Sequence, residues 1–406
     1  MGRFVINGGK TLGGEIFVGG SKNAALPIIF SCITTYGVST LTNVPNISDV
    51  AVALEILSDF GAVINRTADT VTVDTRELSY CTPDESLVSK IRASSYLIGA
   101  CLSRFGRADI QHFGGCNFDN RPIDMHLMAA KTLGAKIDDN IITADELCGG
   151  DIHFEKISVG ATINAILMSV SAKGKTRIFG YAREPHIIAL VEFLCSAGAK
   201  IKLTEEYIEI GGTALSSSNA KIITDMIEAG TYLSLSLVTG SKIRVIGADK
   251  NQLSSFLEML LYAGAVIEFD DQSVTVSGEI TDPADIVTAP YPAFPTDLQP
   301  VAAPLLAAFC GGSITEGVWY NRFGYLAELA KFGVCYELGS GFAKIKKSSF
   351  NSAQAAAPDL RGGAALLITA LAAQGESIID SAELIKRGYS DIVNKLLSVG
   401  ADIKEL

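Results

Sequence analysis

Four stretches of this chain hold the residue types that polar chemistry needs. The first is Gly114-Gly115-Cys116-Asn117-Phe118-Asp119-Asn120-Arg121-Pro122-Ile123-Asp124-Met125-His126. Its glycines and polar residues mark a loop. A thiol on such a loop, with Arg121 nearby, could act as acid, nucleophile or bystander. The second stretch is Ala289-Pro290-Tyr291-Pro292-Ala293-Phe294-Pro295-Thr296-Asp297. Its prolines stiffen the approach to a helix, and Asp297 could either cap that helix or serve as a general base. The third is a set of arginines in Asn321-Arg322-Phe323, Asp359-Leu360-Arg361 and Lys386-Arg387-Gly388-Tyr389. The fourth is the pair of cations Lys22 and Arg92, each at the start of an apolar segment. Arginine suits bidentate recognition of carboxylate and phosphate. Any one of these cations reads as a solvated surface residue. Six in one cleft would repel one another unless multiply charged anions lay between them. Such a cleft opens when empty and closes on substrate.

Composition narrows the choices. The chain has 406 residues, 48% hydrophobic and 19% charged, as a packed globular protein of two or three domains would. A net charge of −11 argues against a general nucleic-acid-binding surface. The eight cysteines lack Cys-x-x-Cys spacing, and the four histidines lack metal-ligand spacing. No metal is implied, and the thiols fit a reduced, cytoplasmic setting. Cysteines other than Cys116 sit mostly among apolar neighbours and read as packing residues. No apolar run is long enough to span a bilayer, and the N-terminus lacks a signal-peptide pattern.

The elements that must position these residues repeat. Six amphipathic stretches end in a glycine followed by a β-prone run, at Gly61, Gly134, Gly198, Gly264, Gly333 and Gly400. Successive glycines lie 73, 64, 66, 69 and 67 residues apart. Internal repetition at this regularity predicts six copies of one α/β unit. Each glycine is the expected helix C-cap with positive φ. In the amphipathic helices, Leu253, Phe256, Leu257, Leu260 and Leu261 form one apolar face, and Ile187, Ile188, Val191 and Leu194 another. A second helix in each unit is apolar nearly all round and is therefore expected to be buried: Asn23 to Thr35, Ala93 to Ser103, Ala161 to Ala172, Thr231 to Val238, Leu298 to Phe309 and Gly362 to Ala373. Their starts, at 22, 92, 160, 229, 297 and 361, are again in register. Helix N-termini carry free N–H groups and attract anions. Two three-unit lobes whose buried helices point these ends at a common gap would form an anion site.

The residues also resemble a known family. Ser21-Lys22-Asn23-Ala24-Ala25-Leu26-Pro27, the Gly-Gly-Cys…Arg-Pro…Asp…His loop, Lys156-Ile157-Ser158-Val159-Gly160-Ala161-Thr162 and Ala182-Arg183-Glu184-Pro185 resemble the UDP-N-acetylglucosamine 1-carboxyvinyltransferases. So do Phe294-Pro295-Thr296-Asp297, Asn321-Arg322-Phe323, Asp359-Leu360-Arg361 and Arg387-Gly388-Tyr389. The resemblance implies a two-lobed inside-out α/β barrel of six βαβαββ-type units, three per lobe. The first lobe would span 21–224, and the second 1–20 plus 225–406. It implies transfer of the enolpyruvyl group of phosphoenolpyruvate to UDP-N-acetylglucosamine by addition–elimination, without a cofactor. That reaction is the first committed step of peptidoglycan precursor synthesis.

By the same resemblance, Cys116, Asp297, Lys22 and Arg387 would be catalytic. Cys116 would protonate phosphoenolpyruvate, Asp297 would take the sugar hydroxyl proton, and Lys22 and Arg387 would hold the anionic groups of phosphoenolpyruvate. Lys22, Asn23, Arg121, Arg322, Arg361 and Arg387 would line the phosphoenolpyruvate pocket. Asn23, Arg92, Arg121, Pro122, Ile123, Asp124, Met125, Lys156, Ser158, Val159, Asp297 and Val318 would hold the nucleotide sugar, and Asp359 would support the Asp297 region. The chain departs from the family pattern at Asn117 to Asn120, Met226, Leu384, Lys386 and Ser390. Two alternatives stand beside this reading: transfer to shikimate 3-phosphate, and a non-catalytic UDP-sugar-binding paralogue.

Overall fold

A computed structural model describes residues 2–110, 113–114, 122–270 and 272–406. Cys116 and Arg121 lie outside the described residues. The chain forms two compact units, Met1–Gly19 with Thr224–Leu406, and Gly20–Ile223.

The periodicity has a direct structural counterpart. Among the described residues, five four-stranded sheets share one order: a parallel pair, then two antiparallel partners. A three-stranded sheet, Arg107–Asp109, Ile141–Thr143 and Lys136–Asp138, keeps the antiparallel part. Strand Lys175–Phe179 shows why such a sheet stays outside. Thr176 and Ile178 point inward and are buried, whereas Lys175 and Arg177 face solvent and pair with Glu209 across the ladder. The six glycines at the helix–strand junctions all take positive φ, from 92° to 106°. A side chain at that φ is strained, which is why this position recurs as glycine.

The apolar helices are interior. In the unit that holds the C-terminus they are Met226–Val238, Gln299–Ala308 and Leu360–Ala372, packed against one another. In the other unit they are Lys22–Ser31, Leu97–Phe105 and Val159–Ser169. Gly99 permits the closest approach there, because a Cβ would meet the Asn164 carbonyl oxygen at 2.7 Å.

Three expectations need correction. The helix expected from Ala93 begins as a 3-10 turn, Arg92–Tyr96, and becomes α-helical only at Leu97. Leu261 is 51% exposed, so it does not belong to the apolar face of Ser254–Tyr262. The cysteines are not mostly packing residues: Cys148, Cys195 and Cys335 are exposed, and only Cys32 and Cys101 among the described ones are buried. Burial pushes the Cys32 thiol up to about 12. Among the described residues no helix is long and apolar enough to cross a membrane.

Candidate active site

Each unit gathers its own cluster of the predicted residues. In the C-terminal unit the cluster is built on the starts of the interior helices. Asp225 caps Met226–Val238, its Oδ1 accepting from Ile227 N at 2.8 Å and Glu228 N at 3.2 Å. Asp359 caps Leu360–Ala372, its Oδ1 accepting from Arg361 N at 2.8 Å and Gly362 N at 3.0 Å. Asp297 precedes the third helix, Gln299–Ala308, whose N-cap residue is Leu298 and makes no side-chain cap bond. Asp297 Oδ1 accepts from Arg322 Nη1 at 2.7 Å, and Oδ2 from Arg361 Nε and Nη2, both at 3.3 Å. The carboxylate is held by two guanidiniums. The two arginine side chains are 4% and 1% exposed, while that of Asp297 is 29% exposed. Buried charges persist only when paired, so the arginines depend on Asp297 as much as it depends on them.

Arg361 lies 5.3 Å from the centre of the Tyr389 ring. Burial alone would lower its pKa, but Tyr389, Asp297 and Asp225 together hold it above the ordinary arginine value. The Tyr389 hydroxyl in turn meets Thr231 Oγ1 at 2.9 Å, inside helix Met226–Val238. Arg387 follows helix Ala382–Lys386 and is half-buried. Lys386 is exposed and pairs with Glu405 at 2.9 Å, and Met226 is simply the first residue of its helix. Val318 is half-buried, its amide bound to Glu316 Oε1 at 3.0 Å.

In the other unit Lys22 opens helix Lys22–Ser31, whose cap is Ser21, and its Nζ meets Asp49 at 2.6 Å. Asn23 beside it is half-buried. Arg92 opens the 3-10 turn against which that helix packs. Burial lowers the Arg92 pKa. His126 stands close to Arg92 on helix Asp124–Thr132, and its pKa is pushed down to about 4 by burial first and by Arg92 second. Its Nδ1 lies 2.7 Å from Asn164 Nδ2, so the ring accepts and is neutral at pH 7. Asn164 also accepts from Gly99 N at 2.6 Å and donates to the Ser95 carbonyl at 3.0 Å. One amide thus ties the Arg92 turn, the start of Asp124–Thr132 and the start of Val159–Ser169. Those starts carry Pro122, Ile123, Asp124 and Met125 on one side, and Ser158 and Val159 on the other. Ser158 caps its helix through Ala161 N at 3.3 Å, and Lys156 is exposed just ahead of it.

Three residues escaped the sequence reading, Asp49, Asn164 and Glu316, while Tyr389 was named only as part of the Arg387 motif and given no role. All four hold other site residues. A signal existed for two of them. Asn164 is an amide inside a mostly apolar helix, and Glu316 shares the inward parity of Ile314 in strand Gly312–Glu316.

Each unit thus repeats one sheet-and-helix motif and gathers polar side chains at the starts of its interior helices. The family model for EPSP synthase (3-phosphoshikimate 1-carboxyvinyltransferase) matches residues 6–396. The enolpyruvyl transferase NikO from Streptomyces tendae is similar over the whole chain, with a TM-score of 0.87, 24% identity and 98% of that chain covered. EPSP synthase from Acinetobacter baumannii is similar with a TM-score of 0.76 and 17% identity, each chain covered fully. At those identities the likeness establishes the fold. UDP-N-acetylglucosamine 1-carboxyvinyltransferase of Halothermothrix orenii is 39% identical, with 100% of both chains covered. UDP-N-acetylglucosamine 1-carboxyvinyltransferase 2 of Clostridium acetobutylicum is also 39% identical, over 100% of this chain and 99% of the relative. The chain belongs to the UDP-N-acetylglucosamine 1-carboxyvinyltransferase family.

Proposed function

We propose that the chain transfers the enolpyruvyl group of phosphoenolpyruvate to the 3-hydroxyl of UDP-N-acetylglucosamine and releases phosphate. The observation that carries this reading is the Asp297 carboxylate, clamped by Arg322 and Arg361 at the start of an interior helix. It stands in a chain that aligns end to end with relatives of that name.

In this scheme the Cys116 thiol gives its proton to the methylene carbon of phosphoenolpyruvate. The sugar oxygen bonds to the adjacent carbon, and Asp297 takes the hydroxyl proton. The resulting ketal loses a methyl proton to the Cys116 thiolate and expels phosphate, which takes the proton held by Asp297, so that the double bond, the thiol and the carboxylate are all restored. Lys22, Arg121 and Arg387 hold the phosphate and carboxylate of phosphoenolpyruvate, where their charge offsets that of the leaving group. Asn23, Arg92, residues 122 to 125, Lys156, Ser158, Val159 and Val318 hold the nucleotide sugar. Arg322 and Arg361 hold and aim Asp297. The residues supply acid, base and electrostatics, so the scheme needs no cofactor. Both substrates are small cytoplasmic metabolites, so the reading places the enzyme in the cytoplasm, without nucleic-acid or membrane partners.

Phosphate release from phosphoenolpyruvate, measured with UDP-N-acetylglucosamine and separately with shikimate 3-phosphate, tests the reading. Release only with the nucleotide sugar supports it. Release only with shikimate 3-phosphate replaces it, and binding of the nucleotide sugar without release makes the chain a sensor. Cys116→Ala should also lose covalent labelling by the epoxide fosfomycin, and unchanged labelling would remove Cys116 from its role.

A further inference from the structure

Glu316 ends strand Gly312–Glu316 and is fully buried. Its Oε1 accepts from Thr288 Oγ1 at 2.6 Å and from Val318 N and Trp319 N, both at 3.0 Å. Its Oε2 accepts from Thr296 Oγ1 at 3.0 Å. Thr296 Oγ1 accepts in turn from Arg322 Nη1 at 3.1 Å, the same nitrogen that donates to Asp297 Oδ1.

The order of donors is forced. A carboxylate only accepts and a guanidinium only donates, while a hydroxyl has one proton. The Thr296 proton must point at Glu316, which leaves its lone pair for Arg322. Thr288 works the same way, donating to Glu316 and accepting from Gly317 N at 3.0 Å. A buried acceptor with four donors is a rigid anchor, because each lost partner would leave a polar group unsatisfied.

We infer that Glu316 is a positioning residue with two outputs. Through the Thr296 hydroxyl it holds Arg322 against Asp297, and through the Val318 and Trp319 amides it sets the segment that follows the strand. The base and one sugar-binding segment of the proposed transferase are thereby aligned by a single carboxylate that touches neither substrate nor reacting atoms. The inference rests on the transferase reading.

The test uses the full chain with phosphoenolpyruvate and UDP-N-acetylglucosamine. Thr296→Val removes the hydroxyl at nearly constant shape. It should lower kcat about 10- to 100-fold, as a small misplacement of a catalytic group does, with KM for phosphoenolpyruvate nearly unchanged. Thr296→Ser should restore most of kcat. Glu316→Gln should lower kcat comparably and also raise KM for UDP-N-acetylglucosamine. The double variant Thr296→Val/Glu316→Gln should lose no more kcat than the worse single variant, because the two act in series. Thermal unfolding of each variant separates these effects from loss of folded protein. An active wild type with folded, undiminished Thr296→Val overturns the inference alone, as does full additivity in the double variant. A wild type inactive with the nucleotide sugar overturns the transferase reading and this inference with it.

Discussion

The two units solve the same problem with different chemistry. Both must hold polar groups at the starts of apolar interior helices. The C-terminal unit does it with ions: Asp297 joins Arg322 and Arg361, and Glu316 anchors the set from behind. The other unit keeps one ion pair, Lys22 with Asp49, and relies on neutral groups at its centre, where the Asn164 amide ties together His126, Gly99 and Ser95. An ionic cluster fixes direction strongly but fails badly when one partner is removed. An amide cluster tolerates the loss of charge but depends on the histidine staying unprotonated.

Four measurements would break or sharpen that contrast. Asp297→Ala should cost the most, lowering phosphate release on the order of 10²- to 10⁴-fold if the carboxylate is the base. A loss below tenfold would remove it from that role. Arg361→Met should come next, destabilising the C-terminal unit by about 3–5 kcal/mol by breaking a buried pair. Denaturant unfolding monitored by amide exchange in helix Leu360–Ala372 reads this, and an unchanged midpoint would contradict the ionic account.

The third measurement is pH. The folded His126 pKa of about 4 is below its ordinary 6.5, so the unfolded chain takes up a proton first as pH falls. Stability from this group is complete above pH 6.5 and is lost between there and about 4, on the order of 3 kcal/mol. Exchange protection of helix Leu97–Phe105 should fall across that window and stay flatter in His126→Gln. An equal slope in the variant would clear His126 of the effect.

The smallest effect concerns what the units share. Gly198 and Gly400 sit at equivalent junctions, with φ of 106° and 92°, and no atom lies within 4 Å of a Cβ at either. Replacing either with Ala should cost about 1–2 kcal/mol through backbone strain alone, and about equally. Clearly unequal costs would mean that the repeats differ at their joints as well as in their sites.

Much of this was legible in the residue order. Glycine spacing announced six α/β units because a helix C-cap and the strand after it are local structures, decided by a few neighbouring residues. All-round apolar character announced the interior helices for the same reason. The family motifs named Asp297, Arg322 and Arg361, but not their arrangement. Asp225, Asp297 and Asp359 all precede interior helices, and nothing nearby in sequence separates the two caps from the clamp.

Tertiary structure made that distinction, because the partners of Asp297 lie 25 and 64 residues away. It also decided that Glu316 would be an anchor and His126 an acceptor, and that three cysteines would face solvent. Local sequence sets which backbone shapes are allowed. Which buried charge meets which depends on helices packed from distant repeats, and burial makes those meetings obligatory.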